Sequence, residues 1–161
     1  MTVLLNNTIL SNFSTVARPD LVRQAFPRED IVTVAAVLAE HTNGVSGGHF
    51  AVCDWSWLTV LQLTPVEQEE LERMPRRLGL GESACLVIAK SRGLRFATDD
   101  WDARRAAQRL GIPITGTVGV LAILVKDDKL TLAEADELLA HMIAAGFLSP
   151  VTSVKDVIQK G

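Results

Sequence analysis

Thiol chemistry has little support in this sequence, because only two of its 161 residues are cysteines. Cys53 and Cys85 form no CxxC motif, which argues against a thiolate metal site or a redox pair. We interpret both as small buried apolar residues, since free cysteine is often buried. Tyr is absent and aromatic residues make up only 5% of the chain, so the core is expected to be mostly aliphatic.

Long apolar runs are also missing from the chain. No stretch reaches the roughly 18–20 apolar residues that a membrane-spanning helix needs. The first six residues, MTVLLN, carry neither the basic segment nor the cleavage site of a signal peptide. We therefore expect a cytoplasmic protein with no membrane partner.

Motifs for nucleophilic and zinc catalysis are missing as well. The sequence shows no Ser–His–Asp or Cys–His arrangement, and its three His residues have no HExxH spacing. His41 and His49 flank the glycine-rich segment 44–48, which we predict to be a flexible loop, so either imidazole is a candidate substrate contact. Segment 115–119 lacks the Lys of a phosphate-binding P-loop. Its glycines are better explained by close packing of a helix against a strand.

The length and the 48% hydrophobic content predict one globular domain over residues 1–161. The net charge of −3 argues weakly against a nucleic-acid partner. The charge is unevenly spread, however, because residues 71–130 contain eleven Lys or Arg and seven Asp or Glu. That excess is compatible with a basic surface for phosphates and equally with ordinary solvated helix faces.

Short apolar segments alternate with helical patterns along the chain, which predicts an α/β fold with a parallel sheet covered on both faces. The predicted strands are Thr2–Leu5, Leu58–Leu63, Leu94–Thr98 and Pro113–Thr115. Capping boxes at Thr64 and Thr131 predict two helix starts. A further helix is predicted from about Val34, preceded by Asp30 and ended by Asn43–Gly44.

Polar side chains follow three of these strands, at the sheet edge where α/β proteins place their sites. They are Asn6 and Thr8, then Thr98, Asp99 and Asp100, then Thr115 and Thr117. Glu82 and Glu40 lie on the apolar sides of their helices, where a carboxylate is costly unless it is paired. Dipole stabilisation in the first helical turn is the alternative for Glu82, and exposure at a frayed helix end is the alternative for Glu40.

Acids from distant parts of the chain that meet at one sheet edge would suit a hard cation such as Mg²⁺ or Mn²⁺. Such a cation would offset the repulsion among clustered carboxylates. A cation held by these acids would also support metal-assisted hydrolysis of a phosphodiester.

Four blocks of the sequence together resemble the PIN-domain family, in the prokaryotic branch described as predicted nucleic-acid-binding proteins. The resemblance covers about residues 3–155, and the blocks are Asn6–Phe13, Leu78–Ala89, Ala97–Arg105 and Leu110–Leu121. It implies a three-layer PIN-like fold, with a central parallel sheet of about four to five strands flanked by helices. It also implies a ribonuclease dependent on Mg²⁺ or Mn²⁺, the toxin of a toxin–antitoxin pair. The partners would be RNA, a cognate antitoxin and a second copy of the chain.

The resemblance also implies roles for individual residues. The catalytic positions are Asn6, Glu40, Glu82, Asp99 and Asp100. Among these, the implied metal ligands are Asn6, Glu82, Asp99 and Asp100, with the choice between the two adjacent aspartates left open and the other one expected to cap a helix. The implied substrate-binding positions are Thr8, Thr98, Arg104, Arg105, Thr115 and Thr117.

One position departs from the family pattern, which has Asp where this chain has Asn6. An amide oxygen ligates a metal without contributing charge, so the hold on a divalent cation is weakened. The chain is then a degenerate protein that binds without cutting, an engineered inactive form, or an enzyme whose other acids suffice. The alternative function is a non-catalytic dimeric interaction or RNA-binding module. Its candidate contacts are Trp55, Trp57 and Trp101, each of which is otherwise a core residue.

Overall fold

A five-stranded parallel sheet forms the centre of the computed structural model, which describes residues 1–158. The strands are β1 (Thr2–Leu5), β2 (Asp30–Val34), β3 (Thr59–Leu61), β4 (Arg95–Ala97) and β5 (Ile114–Thr115). Their order across the sheet is β3-β2-β1-β4-β5, and every neighbouring pair is parallel. The predicted α/β class and the parallel sheet are therefore confirmed.

Nine helices surround this sheet within residues 1–158. They are α1 (Asn7–Thr15), α2 (Asp20–Ala25), α3 (Ala35–Ser46), α4 (Pro65–Glu72), α5 (Leu80–Arg92), α6 (Trp101–Arg109), α7 (Thr117–Lys126), α8 (Leu132–Ala144) and α9 (Lys155–Ile158). The capping boxes predicted at Thr64 and Thr131 are both present. Gly93 ends α5 in the left-handed conformation that glycine favours. The sequence of residues 151–159 also predicts a last short helix. The helix α9 lies within that range, and Gln159 is outside the described residues.

The prediction for residues 30–44 was wrong in two respects. Asp30 does not precede a helix but begins β2, a strand that the sequence patterns did not identify. Val34 ends that strand with extended backbone and passes directly into α3, so no polar turn separates the two elements. The helix also continues past Asn43–Gly44 to Ser46, which shortens the expected flexible loop.

Aliphatic side chains fill the core, as the sparse aromatic content predicts. Val3, Leu4 and Leu5 of β1 are fully buried, as expected for the central strand of a sheet covered on both faces. The apolar helix α5 packs against β1, β2 and β4, and α7 packs against α1, α2, α8 and α9. Cys85 is buried and Cys53 is partly buried, both as free thiols. Among the described helices, none has the length and apolar character to cross a membrane.

The register of the sheet decides which polar residues meet at its carboxyl edge. Leu5 lies opposite Ala97, and Ala97 lies opposite Thr115. The residues that follow these three positions therefore emerge side by side. Asn6 is brought next to Thr98 in this way, and Asp99 is brought next to the first turn of α7.

A buried ion pair fastens α4 to α5, away from that edge. The side chain of Glu67 is 3% exposed and accepts hydrogen bonds from Arg92 Nη2 at 2.7 Å and Arg92 Nε at 3.0 Å. The same guanidinium donates to the carbonyl of Gln62 at 2.7 Å. Hydrogen bonding to Arg92 lowers the pKa of Glu67 to about 2, from an ordinary value of 4.5.

We expect Arg92→Ala to lower the free energy of unfolding by about 2 kcal/mol, because it leaves a buried carboxylate without its partner. The exposed Arg77→Ala is the control and should change stability by less than about 0.5 kcal/mol. Chemical denaturation measures both variants.

The same pair predicts a pH dependence. Since the pKa of Glu67 is lowered on folding, its stabilisation is complete above about 4.5 and is lost as the pH falls toward 2. Stability measured between pH 6 and pH 3 should therefore fall more steeply for the original chain than for Arg92→Ala. Parallel pH profiles would contradict this assignment.

Candidate functional site

Asn6 links the first strand of the sheet to the fourth at their carboxyl ends. Its side chain is fully buried and forms two hydrogen bonds within the protein. Oδ1 accepts from the backbone N–H of Asn7 at 2.8 Å and so caps α1, and Nδ2 donates to Thr98 Oγ1 at 2.8 Å. Thr98 Oγ1 also accepts from the backbone N–H of Asp100 at 3.2 Å. Asn6 and Thr98 thus hold β1, α1 and the segment after β4 together.

Asp99 turns toward α7 and caps it from outside the helix. Its Oδ1 accepts from the backbone N–H of Thr117 at 2.8 Å, and its Oδ2 accepts from Thr117 Oγ1 at 2.6 Å. Asn12 Nδ2 donates to the same Oδ2 at 3.3 Å. Burial raises the pKa of Asp99, while the bonds from Thr117 and the charge of Arg104 oppose that rise. Both carboxylate oxygens are therefore engaged within the protein.

Asp100 faces the opposite way and caps its own helix. Its Oδ1 accepts from the backbone N–H of Ala103 at 2.8 Å, at the start of α6. Asp100 Oδ2 forms no hydrogen bond within residues 1–158. The sequence predicted that one aspartate would cap a helix while the other joined the acids. In the structure both cap helices, and only Asp100 also has a second oxygen available.

The start of α5 receives two glutamates from different helices. Glu82 Oε2 accepts from the backbone N–H of Gly79 at 2.8 Å, and Glu40 Oε1 accepts from that of Gly81 at 3.1 Å. A Cβ at position 81 would lie 2.5 Å from Glu40 Oε1, and one at position 79 would lie 2.6 Å from Glu82 Oε2. A side chain at either position would therefore push the carboxylate away from its N–H partner. Glu40, predicted to need a partner on the apolar side of its helix, is paired with a backbone N–H.

Glu40, Glu82 and Asp100 share one electrostatic environment. Burial is the main cause of the raised pKa of Glu82, and repulsion from Asp100 and Glu40 adds to it. The backbone N–H of Gly79 and the amide of Asn6 oppose the rise. The two ion pairs found in residues 1–158 join Arg18 to Asp20 and Arg92 to Glu67, so neither neutralises these acids.

The chemistry of this donor set fits a hard divalent cation. Three carboxylates and one amide oxygen are the ligand types that Mg²⁺ and Mn²⁺ prefer. Each of the three carboxylates accepts a backbone N–H through one of its oxygens. As they stand, no three His, Cys, Asp or Glu side chains of the described chain are grouped closely enough to hold a metal. The ligand chemistry is present, whereas the spacing is wider than a coordination sphere.

A cleft of about 1120 Å³ is lined by Asp100, one of these three acids. Its lining includes Asp99, Asp100 and the polar face of α1, together with apolar residues such as Phe147 and Leu148. The α1 residues facing the cleft are Thr8, Ser11, Asn12 and Thr15. Their spacing of three and four is a helical polar stripe that sequence reasoning could have found, although it identified only Thr8.

Some of the other predicted substrate-binding residues bond within the protein, and the rest lie at its surface. Arg104 donates from Nη1 to the carbonyls of Thr98 at 2.8 Å and Thr115 at 3.2 Å, so it joins the ends of β4 and β5. Thr98 and Thr117 are buried and bonded within the protein, as described above. Thr115 borders the cleft, and Arg105 lies on the exposed side of α6, outside the cleft.

The histidines and tryptophans also separate by location. His41 is buried and stacks on Phe50 with ring centroids 4.7 Å apart, so it is a structural side chain. His49 borders the cleft. Trp55 is buried and donates from Nε1 to Ser14 Oγ at 2.9 Å. Trp57 packs against the core, whereas Trp101 is 71% exposed.

Comparison with known families supports the same reading of the fold. The family model DUF3368, described as a PIN domain, matches residues 2–161. Comparison with curated proteins and comparison with solved structures each found no significant match. The family match spans nearly the whole chain and agrees with the five-stranded parallel sheet.

We expect Asp99→Ala to destabilise the fold by about 2 kcal/mol, because Thr117 and Asn12 lose a partly buried acceptor and α7 loses its cap. Glu137→Ala, an exposed acid on α8 without a side-chain hydrogen bond in the described residues, is the control and should change stability by under about 0.5 kcal/mol. Thermal and chemical denaturation measure both. Equal stability of the two variants would show that Asp99 does not hold α7.

Proposed function

The chain belongs to the PIN-domain family, and from this we propose that it is a divalent-metal-dependent endoribonuclease using Mg²⁺ or Mn²⁺. The observation that carries the proposal is the set of carboxylates on Glu40, Glu82 and Asp100 at the carboxyl end of the sheet. Each carboxylate is anchored by one backbone N–H, and none is neutralised by a Lys or Arg within ion-pair distance in residues 1–158.

These residues have separate roles in the proposal. Glu40, Glu82 and Asp100 would hold the cation through their second oxygens, and Asn6 would add an uncharged amide oxygen. A bound cation supplies an activated water and stabilises the charge that develops on phosphate. Asp99 is a positioning residue, because its oxygens hold α7 and Asn12 and so shape the wall of the cleft.

The cleft supports an RNA strand as the substrate in this proposal. Asp100 is one of the three acids and also lines the cleft, so a phosphodiester held at Asp100 would leave neighbouring nucleotides inside the cleft. The hydroxyl and amide groups of Thr8, Ser11 and Asn12 would then face the sugar–phosphate chain. Such groups position a nucleic acid without reading its sequence.

The biological setting is part of the same proposal. We infer a toxin of a toxin–antitoxin pair, acting in the cytoplasm as a homodimer and held inactive by an antitoxin. Family membership is the main support. The apolar side of the cleft adds to it, since Leu148 is 94% exposed there and large exposed apolar side chains often mark protein contacts.

A second candidate is a binding module that does not cut RNA. It is favoured by Asn6, which is uncharged and uses both ends of its amide within the protein. The spacing of the acids favours it too, since no metal-holding group of three is formed in the described chain. Under this alternative the cleft binds RNA or a partner protein, and the acids serve as helix caps.

The variant Asn6→Asp separates the two candidates. It places a fourth acid in a fully buried position beside Glu82, so without metal we expect a lower melting temperature than for the original chain. Saturating Mn²⁺ should raise the melting temperature of the variant more than that of the original chain, because a metal that binds only the folded state stabilises it. Cleavage of a labelled single-stranded RNA should become at least about tenfold faster, as one added ligand charge is worth more than about 1.4 kcal/mol.

Glu82→Gln in the Asn6→Asp background is the matched control. It keeps an acceptor for the N–H of Gly79 but removes the charge, so the response to Mn²⁺ and the cleavage should both disappear. If Asn6→Asp neither responds to Mn²⁺ nor cuts RNA, the nuclease proposal is wrong. RNA bound without cleavage by both chains would then establish the binding module.

A further inference from the structure

Trp101 stands out on the surface because it is a large aromatic side chain, 71% exposed, directly after Asp100. It begins α6, whose buried residues are Ala103 and Ala107. Arg105 and Arg109 follow Trp101 at intervals of four residues, so the three side chains lie along the exposed side of the helix. An aromatic ring and two guanidinium groups thus form a stripe that starts at one of the three acids.

A third arginine, from the segment before α5, lies across from Arg105 and Arg109, while Trp101 borders the larger cleft. Arg77, Arg105 and Arg109 line a small cleft of about 70 Å³ together with Leu78 and Asp102. Asp102 is the one acid in this lining. The ion pairs of the described residues include none of the three arginines, so all three lack a carboxylate within 4.0 Å.

The cleft carries three positive charges and one negative charge, from Asp102, so a further anion would offset the remaining repulsion among the arginines. Guanidinium groups match phosphate well, because their planar N–H donors form paired hydrogen bonds to its oxygens. This cleft also accounts for part of the excess of Lys and Arg in residues 71–130. The three arginines place part of this positive charge in one cleft, whereas ordinary solvated helix faces would distribute the charge evenly.

Two segments of the chain connect this surface to the proposed metal site. Asp100 caps the helix that carries Arg105 and Arg109, about 7.5 and 13.5 Å further along its axis at 1.5 Å per residue. Arg77 precedes Gly79, whose N–H holds Glu82, by two residues. A strand whose phosphodiester reached the acids would therefore pass over this surface within a few nucleotides.

We propose that Trp101, Arg77, Arg105 and Arg109 form a platform for single-stranded RNA on the flank of the carboxylate site. Trp101 stacks on an unpaired base, and the three arginines hold the phosphates that follow. Aromatic stacking beside a basic groove is how proteins hold single strands without sequence readout. The inference rests on the proposed function for the position of the reacting phosphate, and it adds Arg77, Arg109 and Trp101 to the predicted Arg105.

The test measures binding of a fluorescein-labelled single-stranded RNA by anisotropy in EDTA, where cleavage plays no part. Arg105→Gln/Arg109→Gln is compared with Arg28→Gln/Lys126→Gln, which removes the same charge from exposed residues elsewhere. Arg28 precedes β2 and Lys126 ends α7, so both lie toward the opposite edge of the sheet. At about 0.1 M salt we expect at least tenfold weaker binding for the first pair and less than threefold for the control. The slope of the logarithm of the association constant against the logarithm of the salt concentration should become shallower by about 1.4, because two phosphate contacts to a single strand are lost.

Trp101→Ala tests the stacking part of the platform. We expect at least about fivefold weaker RNA binding with an unchanged salt slope, because a stacked base is lost and no charge is removed. The melting temperature of each variant confirms that it is folded. Equal RNA affinity and equal salt dependence for the two double variants would overturn the inference. It would also be overturned if polyglutamate bound as tightly as RNA and lost the same affinity in Trp101→Ala.

The two proposals fail in distinguishable ways. A chain that binds RNA through this platform but never cleaves it refutes the nuclease and leaves the platform intact. Conversely, Mn²⁺-dependent cleavage with an unchanged KM in Arg105→Gln/Arg109→Gln refutes the platform and leaves the nuclease intact.

Discussion

The unbonded N–H groups in the first turns of the helices are the constraint around which this site is built. A helix that follows a strand presents these donors at the carboxyl edge of the sheet, and they need acceptors. Asn6 supplies one for α1, Glu82 for α5, Asp100 for α6 and Asp99 for α7. The positive ends of the helix dipoles then partly offset the repulsion among the acids. The acidic site and the capping of the fold are therefore the same set of interactions.

This double use explains how the chain accommodates an amide at position 6. Asn and Asp cap a helix about equally well, so the α1 cap survives the exchange. The amide also donates to Thr98 Oγ1, and it adds no charge beside Glu82. Asn6 thus stabilises the fold without a bound cation, whereas a carboxylate in the same buried position would make the fold more dependent on one.

Much of the fold could be predicted from local patterns, and the errors have physical causes. The capping boxes at Thr64 and Thr131 and the Gly93 stop are local signals, and the structure has all three. The strand β2 was missed because Ile31–Val34 joins α3 without a polar break, so strand and helix form one apolar run. Of the five positions predicted as catalytic, Asn6, Glu40 and Asp100 lie near enough to Glu82 to influence its pKa, yet no three acids of the described residues are close enough to hold a metal. The direction of Asp99 was not predictable, because adjacent side chains point to opposite sides and the partner Thr117 is 18 residues away.

At Gly81 the geometry of the site can be changed by a steric effect alone. The N–H of Gly81 is what holds Glu40, 41 residues earlier in the chain, and a methyl group at that position would occupy the space of the Glu40 oxygen. Alanine there would remove one carboxylate from the group without deleting an acid or altering the net charge. Distance and charge, which change together in any substitution of the acids themselves, can be separated by such a glycine substitution.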